Sequence, residues 1–240
     1  MQAGITRILP TQTDVSVIAH RGAWARHREN TLEAFVEARR LGADGVVLDV
    51  RASADGALVV HHDAEIPGVG SVARLRVAEL PPWVPLVAAA LEACAGMTSV
   101  LEIKNLPTEP DWDPSEAVAT SLAALVGERE AEDVVVSSFS LATLEAVHSA
   151  DPGLATAWLT LPGFDQSQAL RTVVERGHRQ LHPHHQGVTA ALVEEAHAVG
   201  VAVTTWTVDD PARIGELAEM GVDAIITNVA DVALSVLGRA

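Results

Sequence analysis

The stretch that decides the fold is "GVVLDVRASADGALVVHHD", residues 45–63. It contains two apolar, β-branched runs, 46–52 and 57–62, joined at the dipeptide Asp55-Gly56, which is a strong signal for a tight hairpin. Parallel neighbours cannot be joined by so short a connection. One arm of this hairpin is therefore expected to lie outside any parallel sheet that the other arm enters.

Strand-like runs alternate with helical patterns along the rest of the chain. The nine runs are "VSVIAH", "GVVLDV", "LVVHH", "SVLEIK", "DVVVSSF", "LATAWLT", "RQLHPH", "VAVTTWTV" and "DAIITN". Such alternation predicts an α/β fold, either a parallel barrel or an open doubly wound sheet. Because the hairpin removes one run, the remaining eight predict a (β/α)8 TIM-type barrel with a small β-hairpin excursion after the second strand. No GxGxxG follows the first run, which disfavours a nucleotide-binding sheet.

Residues 30–42, "NTLEAFVEARRLG", illustrate the predicted helices. Their apolar residues recur at spacings of three and four, as on one face of a helix. We expect Asn30 to be the N-cap of this helix, Glu33 to complete a capping box with it, and Gly42 to end the helix.

Length and composition predict one globular domain over residues 1–240, with its core at about 16–232. Of the 240 residues, 48% are hydrophobic and only 3% aromatic, so the core is built from aliphatic side chains. No apolar run approaches the roughly 20 residues that cross a bilayer. The N-terminus lacks the layout of a signal peptide, and the single cysteine, Cys94, forms no disulfide framework. These features predict a cytoplasmic protein.

The charge balance restricts the possible partners. Thirty-two Asp and Glu against sixteen Lys and Arg give a formal charge of −16, which disfavours nucleic acid. Because the net charge is negative, binding of an anionic small molecule requires local positive charge from a bound cation or a few basic side chains. We expect a small-molecule substrate, no nucleic acid and no stable membrane association. The sequence gives no information on the oligomeric state.

Polar side chains recur where the predicted strands end. In a parallel barrel these carboxyl ends form the mouth at which chemistry takes place. A single histidine there is usually an ordinary structural residue, but a ring of titratable groups predicts a site. For the three histidines of 182–185, a place at the mouth and a place in a solvated loop are both compatible with the sequence. The residues at the strand ends are His20, Arg21, Asp49, His62, Asp63, Glu102, Lys104, Ser137, Ser138, His182, His184, His185 and Trp206.

Several motifs together resemble a known family. The motifs are "IAHRG", "ENTLEAF", "GADG", "LDV", "DGALVVHHD", "LEIK", "SSFS", "WTVDDP" and "GVDAIITN". In order and spacing they are similar to the pattern of glycerophosphodiester phosphodiesterases, which belong with phosphatidylinositol-type phospholipases C to one group of barrel enzymes. The resemblance covers roughly residues 16–232 and is specific because the motifs keep their order.

The resemblance implies a role for each matching residue. A divalent cation, Mg²⁺ or Ca²⁺, is implied at two carboxylates, with the acid of the ENT motif beside them. The implied roles are general acid–base catalysis for His20 and His62, phosphate binding for Arg21 and Lys104, a mouth-lining aromatic for Trp206, and metal binding for Asp49, Glu102 and Glu29.

These residue types suit the cleavage of a phosphodiester. A nucleophilic oxygen must lose a proton and the leaving oxygen must gain one, and two imidazoles with pKa near 6.5 can share this work at neutral pH. Negative charge that develops on the phosphoryl oxygens is stabilised by a cation, Arg or Lys. The resemblance further implies attack by a neighbouring glycerol hydroxyl, which gives a cyclic phosphate that water then opens.

The chain departs from the family pattern at Val47. The pattern places a glutamate two residues before the aspartate, whereas this chain reads Val47-Leu48-Asp49. Alternate side chains of a strand share a face, so Val47 points where that glutamate would point and offers no oxygen ligand. The cation site is therefore expected to be weaker. A second departure is the short segment between His62 and Glu102, where the family carries a longer insertion.

Three functional readings follow from these features. The first is an enzyme, a phosphodiesterase that hydrolyses glycerophosphodiesters to an alcohol and glycerol 3-phosphate, with divalent-metal assistance. The second is a catalytically weak or inactive phosphate-binding barrel of the same family, because Val47 replaces the metal-site glutamate. The third is a related phosphodiesterase or lyase that acts on another head group or on an intact lipid. Intact His20 and His62 favour catalysis.

Overall fold

The computed structural model describes residues 15–128 and 133–239. Within these residues, eight parallel strands close into a barrel, because β1 pairs with both β2 and β11. The strands in chain order are β1 (Ser16–Ala19), β2 (Gly45–Ala52), β3 (Leu58–Val60), β4 (Glu65–Ile66), β5 (Gly70–Ser71), β6 (Thr98–Ile103), β7 (Val134–Ser138), β8 (Ala155–Thr160), β9 (Gln180–Pro183), β10 (Ala202–Thr205) and β11 (Ala224–Thr227). The predicted TIM-type barrel is confirmed.

The hairpin excursion is the part of the chain that leaves the barrel. Strand β3 runs antiparallel to β2, with Val50 opposite Val60, and Gly56 in the turn adopts a φ of 78°. The β4–β5 ribbon and the loops after it pack around a separate small apolar cluster that includes Val59 and Val72. The expected excursion after the second strand is therefore also confirmed.

Helices surround the barrel within the described residues. They are α1 (Leu32–Leu41), α2 (Val87–Ala93), α3 (Ala117–Gly127), α4 (Leu141–Ala150), α5 (Gln166–Glu175), α6 (Ala190–Ala198), α7 (Pro211–Glu219) and α8 (Ala230–Val236). Most of the core lies between these helices and the strands, where fully buried Phe35, Leu144 and Ile214 each contribute roughly 1.5–3 kcal/mol. Across 15–128 and 133–239, none of the helices is long and apolar enough to span a bilayer.

Helix α1 begins one residue later than the sequence predicted. Thr31, not Asn30, is the N-cap, and its hydroxyl accepts a hydrogen bond from the backbone N–H of Ala34. Gly42 ends the helix with a φ of 91°, as expected. The predicted cap at Asn30 was wrong because its amide donates to the buried carboxylate of Asp49 instead. A charged acceptor without water competes successfully for this donor.

Histidine 182 lies inside the barrel wall, so neither a mouth position nor a solvated loop describes it. Its ring on β9 is fully buried, and burial lowers its pKa to about 3. Burial likewise lowers the pKa of His178 to about 4. Below pH 6.5 the unfolded chain binds protons at these histidines that the folded chain does not bind.

We expect the free energy of unfolding to fall as the pH falls from about 6.5 towards 4. Each such histidine contributes a slope of about 1.4 kcal/mol per pH unit while only the unfolded form is protonated. Urea unfolding at several pH values measures this slope, which should be smaller in His182→Gln. His27→Gln, at an exposed histidine, is the matched control. Equal slopes in wild type and His182→Gln would contradict the assignment.

Candidate active site

The turn after β1 places two predicted site residues at the mouth. His20 donates its backbone N–H to the carbonyl of Thr227, and the chain then turns through left-handed conformations at Arg21 (φ 59°) and Gly22 (φ 80°). A Cβ at Gly22 would lie 2.7 Å from the backbone of Ala34, so only glycine fits against α1. The left-handed Arg21 is a strained conformation of the kind that clusters at functional sites.

A cavity of about 210 Å³ opens at the carboxyl ends of the strands. It brings together six of the eight residues to which the resemblance assigns a role. Those six are His20, Arg21, His62, Glu102, Lys104 and Trp206, and Val47, Ser137 and Phe139 also line the cavity. Of the other two, Asp49 is fully buried and contacts Lys104, and Glu29 contacts Arg21.

A hydrogen-bond network fixes the tautomer of His20. Its Nδ1 lies 2.8 Å from Oδ1 of Asn228, and the indole N–H of Trp24 donates to the same oxygen. Asn228 Nδ2 donates to Asp209 at 2.7 Å, so the amide orientation is determined. Because that oxygen can only accept, Nδ1 of His20 carries the hydrogen and Nε2 keeps a lone pair.

The two candidate catalytic histidines have different environments. Burial lowers the pKa of His20, although the carboxylate of Asp49 acts in the opposite direction. His62 places Nδ1 2.7 Å from Oδ1 of Asp63, and the hydrogen bond from His62 lowers the pKa of that carboxyl. His20 is therefore held neutral, whereas His62 has an ionised partner that can accompany an imidazolium.

Asp49 is the buried anion at the centre of the site. Asn30 donates to its Oδ2 at 2.7 Å, and Arg21 Nε lies 3.4 Å from the same atom. Burial alone would raise the pKa of Asp49, but the charges of Lys104, His62 and Arg21 outweigh burial and lower it. Asp49 is therefore ionised at neutral pH.

Lys104 connects the two carboxylates of neighbouring strands. Its Nζ lies 3.0 Å from Asp49 Oδ1 and donates a hydrogen bond to Glu102 Oε1. Burial acts to lower the pKa of Lys104, but Glu102 and Asp49 outweigh it and raise the pKa. An ammonium ion therefore occupies the space between these two anions.

The carboxylates that the resemblance assigned to a divalent cation do not form a ligand set that fits one. Mg²⁺ and Ca²⁺ take oxygen ligands, about six or more for Ca²⁺. Asp49 and Glu102 both contact Lys104, and both oxygens of Glu29 accept from Arg21 Nη1. Across the described parts of the chain, no three His, Cys, Asp or Glu side chains are grouped to hold a metal ion. The metal role of the three acids stays a prediction.

Val47 forms the apolar floor of the cavity. It is buried, lies two residues before Asp49 on the same face of β2, and packs with Ile18, Val100 and Ile226. The expectation that residue 47 points towards the site is consistent with its place in the cavity lining. A methyl-bearing side chain offers this space no ligand.

Trp206 and Phe139 form an aromatic part of the cavity wall. Trp206 and Phe139 pack edge to face with centroids 5.4 Å apart, and the ring of His184 lies 5.2 Å from Trp206. Trp206 Nε1 donates to the carbonyl of His182, which fixes the indole. The aromatic wall leaves an apolar surface beside the polar half of the cavity.

The sequence did not reveal the groups that orient the site. Asn228, Asp209 and Trp24 hold His20, and Asn30 holds Asp49. Their motifs "ITN", "VDD" and "ENT" were visible as patterns. No spacing rule could connect Trp24 with position 228, because only closure of the barrel brings the first and last strands together.

Comparisons with known proteins identify relatives of this chain. The family model described as "Glycerophosphoryl diester phosphodiesterase family" matches residues 20–232. A glycerophosphodiester phosphodiesterase of Caldanaerobacter subterraneus is 30% identical over 88% of this chain and 93% of its own. One of Bacillus altitudinis is 29% identical over 92% of this chain and 97% of its own.

Solved structures share the fold. The glycerophosphodiester phosphodiesterase of Thermotoga maritima superimposes with a TM-score of 0.74 at 26% identity, covering 93% of this chain and 97% of its own. A phosphodiesterase of Oleispira antarctica, solved in complex with the product sn-glycerol-3-phosphate, gives a TM-score of 0.82 at 23% identity, covering 93% and 96%.

Restoring a carboxylate at position 47 should create a cation site. Val47→Glu adds a third carboxylate on the face of Asp49, so we expect affinity for Ca²⁺ or Mg²⁺ to rise at least about tenfold. The buried charge should also lower the melting temperature until the cation is added. Isothermal calorimetry on chelator-treated protein measures the affinity, with Val47→Gln as the uncharged control. No gain in Val47→Glu would mean that a carboxylate at position 47 does not complete a cation site.

Proposed function

This chain belongs to the glycerophosphoryl diester phosphodiesterase family, and we propose that it hydrolyses glycerophosphodiesters to an alcohol and glycerol 3-phosphate with His20 and His62 as its acid–base pair. The observation that carries the proposal is that both rings line one cavity, each with Nδ1 already bound to a fixed partner. The remaining nitrogen of each ring, Nε2, is then available to exchange protons with substrate.

The environments of the two rings support a division of roles. Neutral His20, with its lone pair on Nε2, acts as the general base and takes the proton from the attacking hydroxyl of the glycerol moiety. As the new P–O bond forms, the P–O bond to the alcohol breaks and protonated His62 donates a proton to the leaving oxygen. The products of this step are the free alcohol and a cyclic phosphate.

A second step regenerates both histidines. His62, now neutral, takes a proton from water as the water oxygen attacks phosphorus. The ring P–O bond breaks, and protonated His20 returns its proton to the glycerol oxygen. The product is glycerol 3-phosphate, and the two rings end in their starting states. The Oleispira antarctica enzyme of the same fold was solved with sn-glycerol-3-phosphate, which is the same class of product.

Two basic side chains at the cavity stabilise the charge on phosphorus. Arg21 and Lys104 both line the cavity, where Arg21 pairs with Glu29 and Lys104 with Asp49. Preoriented donors of this kind stabilise negative charge that develops on phosphoryl oxygens. Trp206 and Phe139 offer an apolar surface to the carbon atoms of the substrate. A small, water-soluble diester suits a cavity of about 210 Å³.

Members of this family generally depend on a divalent cation. Mg²⁺ or Ca²⁺ is the ion that the sequence resemblance predicts. None of the proton transfers above passes through a cation, because the carboxylates of Asp49 and Glu102 already contact Lys104.

Removing either imidazole should abolish turnover. We expect His20→Ala and His62→Ala each to lower kcat by roughly 10²–10⁴-fold, since each deletes one proton-transfer group. Release of choline from glycerophosphocholine measures the rate. His61→Ala is the matched control, because His61 packs against Trp83 outside the cavity. Wild-type rates in His20→Ala or His62→Ala would remove the acid–base assignment, and phosphate binding without turnover in wild type would favour the inactive barrel.

Asn228 should control the tautomer of His20. Asn228→Leu keeps the side-chain volume but removes the acceptor of the Nδ1 hydrogen. A fraction of His20 is then expected in the other tautomer, with the hydrogen on Nε2 and no lone pair facing the substrate. We expect kcat to fall by about tenfold or more, with a smaller change in KM. Initial rates over a range of glycerophosphocholine concentrations separate the two constants. An unchanged kcat would show that Asn228 does not orient the base.

A further inference from the structure

Two carboxylates are buried side by side at the mouth of the barrel. Asp49 on β2 and Glu102 on β6 are register partners in neighbouring parallel strands, and only 0% and 7% of their surfaces are exposed. Adjacent carboxylates that are removed from water do not both stay ionised unless positive charge lies between them. The fold therefore requires a cation at this point.

Lys104 supplies positive charge at that point. Its Nζ contacts Asp49 Oδ1 at 3.0 Å and donates to Glu102 Oε1. Lys104 follows Glu102 by two positions just beyond β6, so the backbone directs both side chains to the same side. Its backbone N–H donates to the carbonyl of Val50, which fixes the start of the side chain beside β2. The ammonium therefore occupies this position because of the strand geometry.

The surroundings leave a divalent ion without further ligands. Val47, the side chain beneath this pair on β2, packs with Val100 and contributes only methyl groups. Glu29, the third acid that the resemblance implied, is bound through both oxygens by Arg21. A Ca²⁺ or Mg²⁺ ion would have to displace the ammonium and complete its coordination almost entirely with water.

Lysine is used at this position and nowhere else in the chain. Lys104 is the only lysine in the sequence, and all other cationic side chains of the Lys and Arg class are arginines. A guanidinium group is planar and large, whereas an ammonium is a compact charge with three N–H donors. One N–H donates to Glu102 and the ammonium forms an ion pair with Asp49 Oδ1, which leaves an N–H for a group in the cavity that Lys104 lines.

We infer that the Lys104 ammonium takes the place of the divalent cation in this chain. It holds the carboxylates of Asp49 and Glu102 together and directs its third N–H to a phosphoryl oxygen of the substrate. The contact with substrate rests on the proposed function, whereas the arrangement of the three charges does not. Turnover by this chain accordingly needs no added Mg²⁺ or Ca²⁺.

The single lysine makes a direct test possible in the wild-type protein. Lysine-selective ¹⁵N labelling gives one side-chain ammonium signal by NMR, because no second lysine exists. After treatment with a chelator and its removal, Mg²⁺ or Ca²⁺ is added to millimolar concentration. We expect the Lys104 signal to keep its position and intensity. A saturable shift or loss of the signal would show that a cation displaces the ammonium and would overturn the inference.

Removal of the ammonium should create cation binding. In Lys104→Met the carboxylates of Asp49 and Glu102 lose their counter-charge, so we expect Ca²⁺ to bind at least about tenfold more tightly than in wild type and to raise the melting temperature of the variant. Arg40→Met is the matched control, because it removes the cation of an exposed pair with Glu37. Equal Ca²⁺ affinity in Lys104→Met and wild type would contradict the inference. If Lys104→Met does not fold, the NMR measurement still decides.

Turnover in chelator separates this inference from the proposed function. We expect release of choline from glycerophosphocholine in EDTA to stay within about twofold of the rate with Mg²⁺ or Ca²⁺. A rate that disappears in EDTA and returns with the cation would overturn the inference while leaving the phosphodiesterase assignment intact. No turnover under either condition would count against the proposed function, and the ammonium signal and calorimetry would then test the ionic arrangement alone.

Discussion

The electrostatic requirement of two buried carboxylates governs the mouth of this barrel. Asp49 and Glu102 are adjacent because β2 and β6 pair in register, and they face away from water because both strands lie in the closed sheet. Positive charge must reach them, and Lys104 and Arg21 provide it. Arg21 reaches Asp49 from a left-handed turn, which in turn depends on Gly22 lying tightly against α1. The neutralisation of Asp49 by Arg21 therefore depends on the backbone conformation of the turn at Arg21 and Gly22.

The same site gives two chemically identical side chains, His20 and His62, different environments. His20 is bound by a neutral amide whose orientation Trp24 and Asp209 determine, whereas His62 is bound by the carboxylate of Asp63. Burial keeps one imidazole neutral, and an ionised partner accompanies the other. Paired titratable groups in different environments are the usual basis of acid–base chemistry at one pH. In this chain the difference arises because His20 is bound by the distant residue Asn228 and His62 by its immediate neighbour Asp63.

Sequence reasoning predicted the barrel and the excursion, because strand periodicity and turn signals are local properties, and six of the eight residues to which the resemblance assigns a role line one cavity. It was wrong where tertiary contacts decided the place of a side chain. Asn30, predicted as the helix cap, binds Asp49, and His182, for which the sequence allowed the mouth or a solvated loop, is fully buried in β9. It also gave no reason to connect Asn228 with His20, since no local pattern encodes a contact between distant positions.

The sequence by itself determined the alternation of strands and helices, the hairpin at Asp55-Gly56, the family resemblance and the loss of a ligand at Val47, since each of these is written in residue types and short spacings. Only the tertiary structure decided that Lys104 lies between Asp49 and Glu102 and that Asn228 orients His20. The physical reason is that ion pairs and buried hydrogen bonds depend on distances of a few ångströms between strands. Barrel closure sets those distances, not the order of residues along the chain.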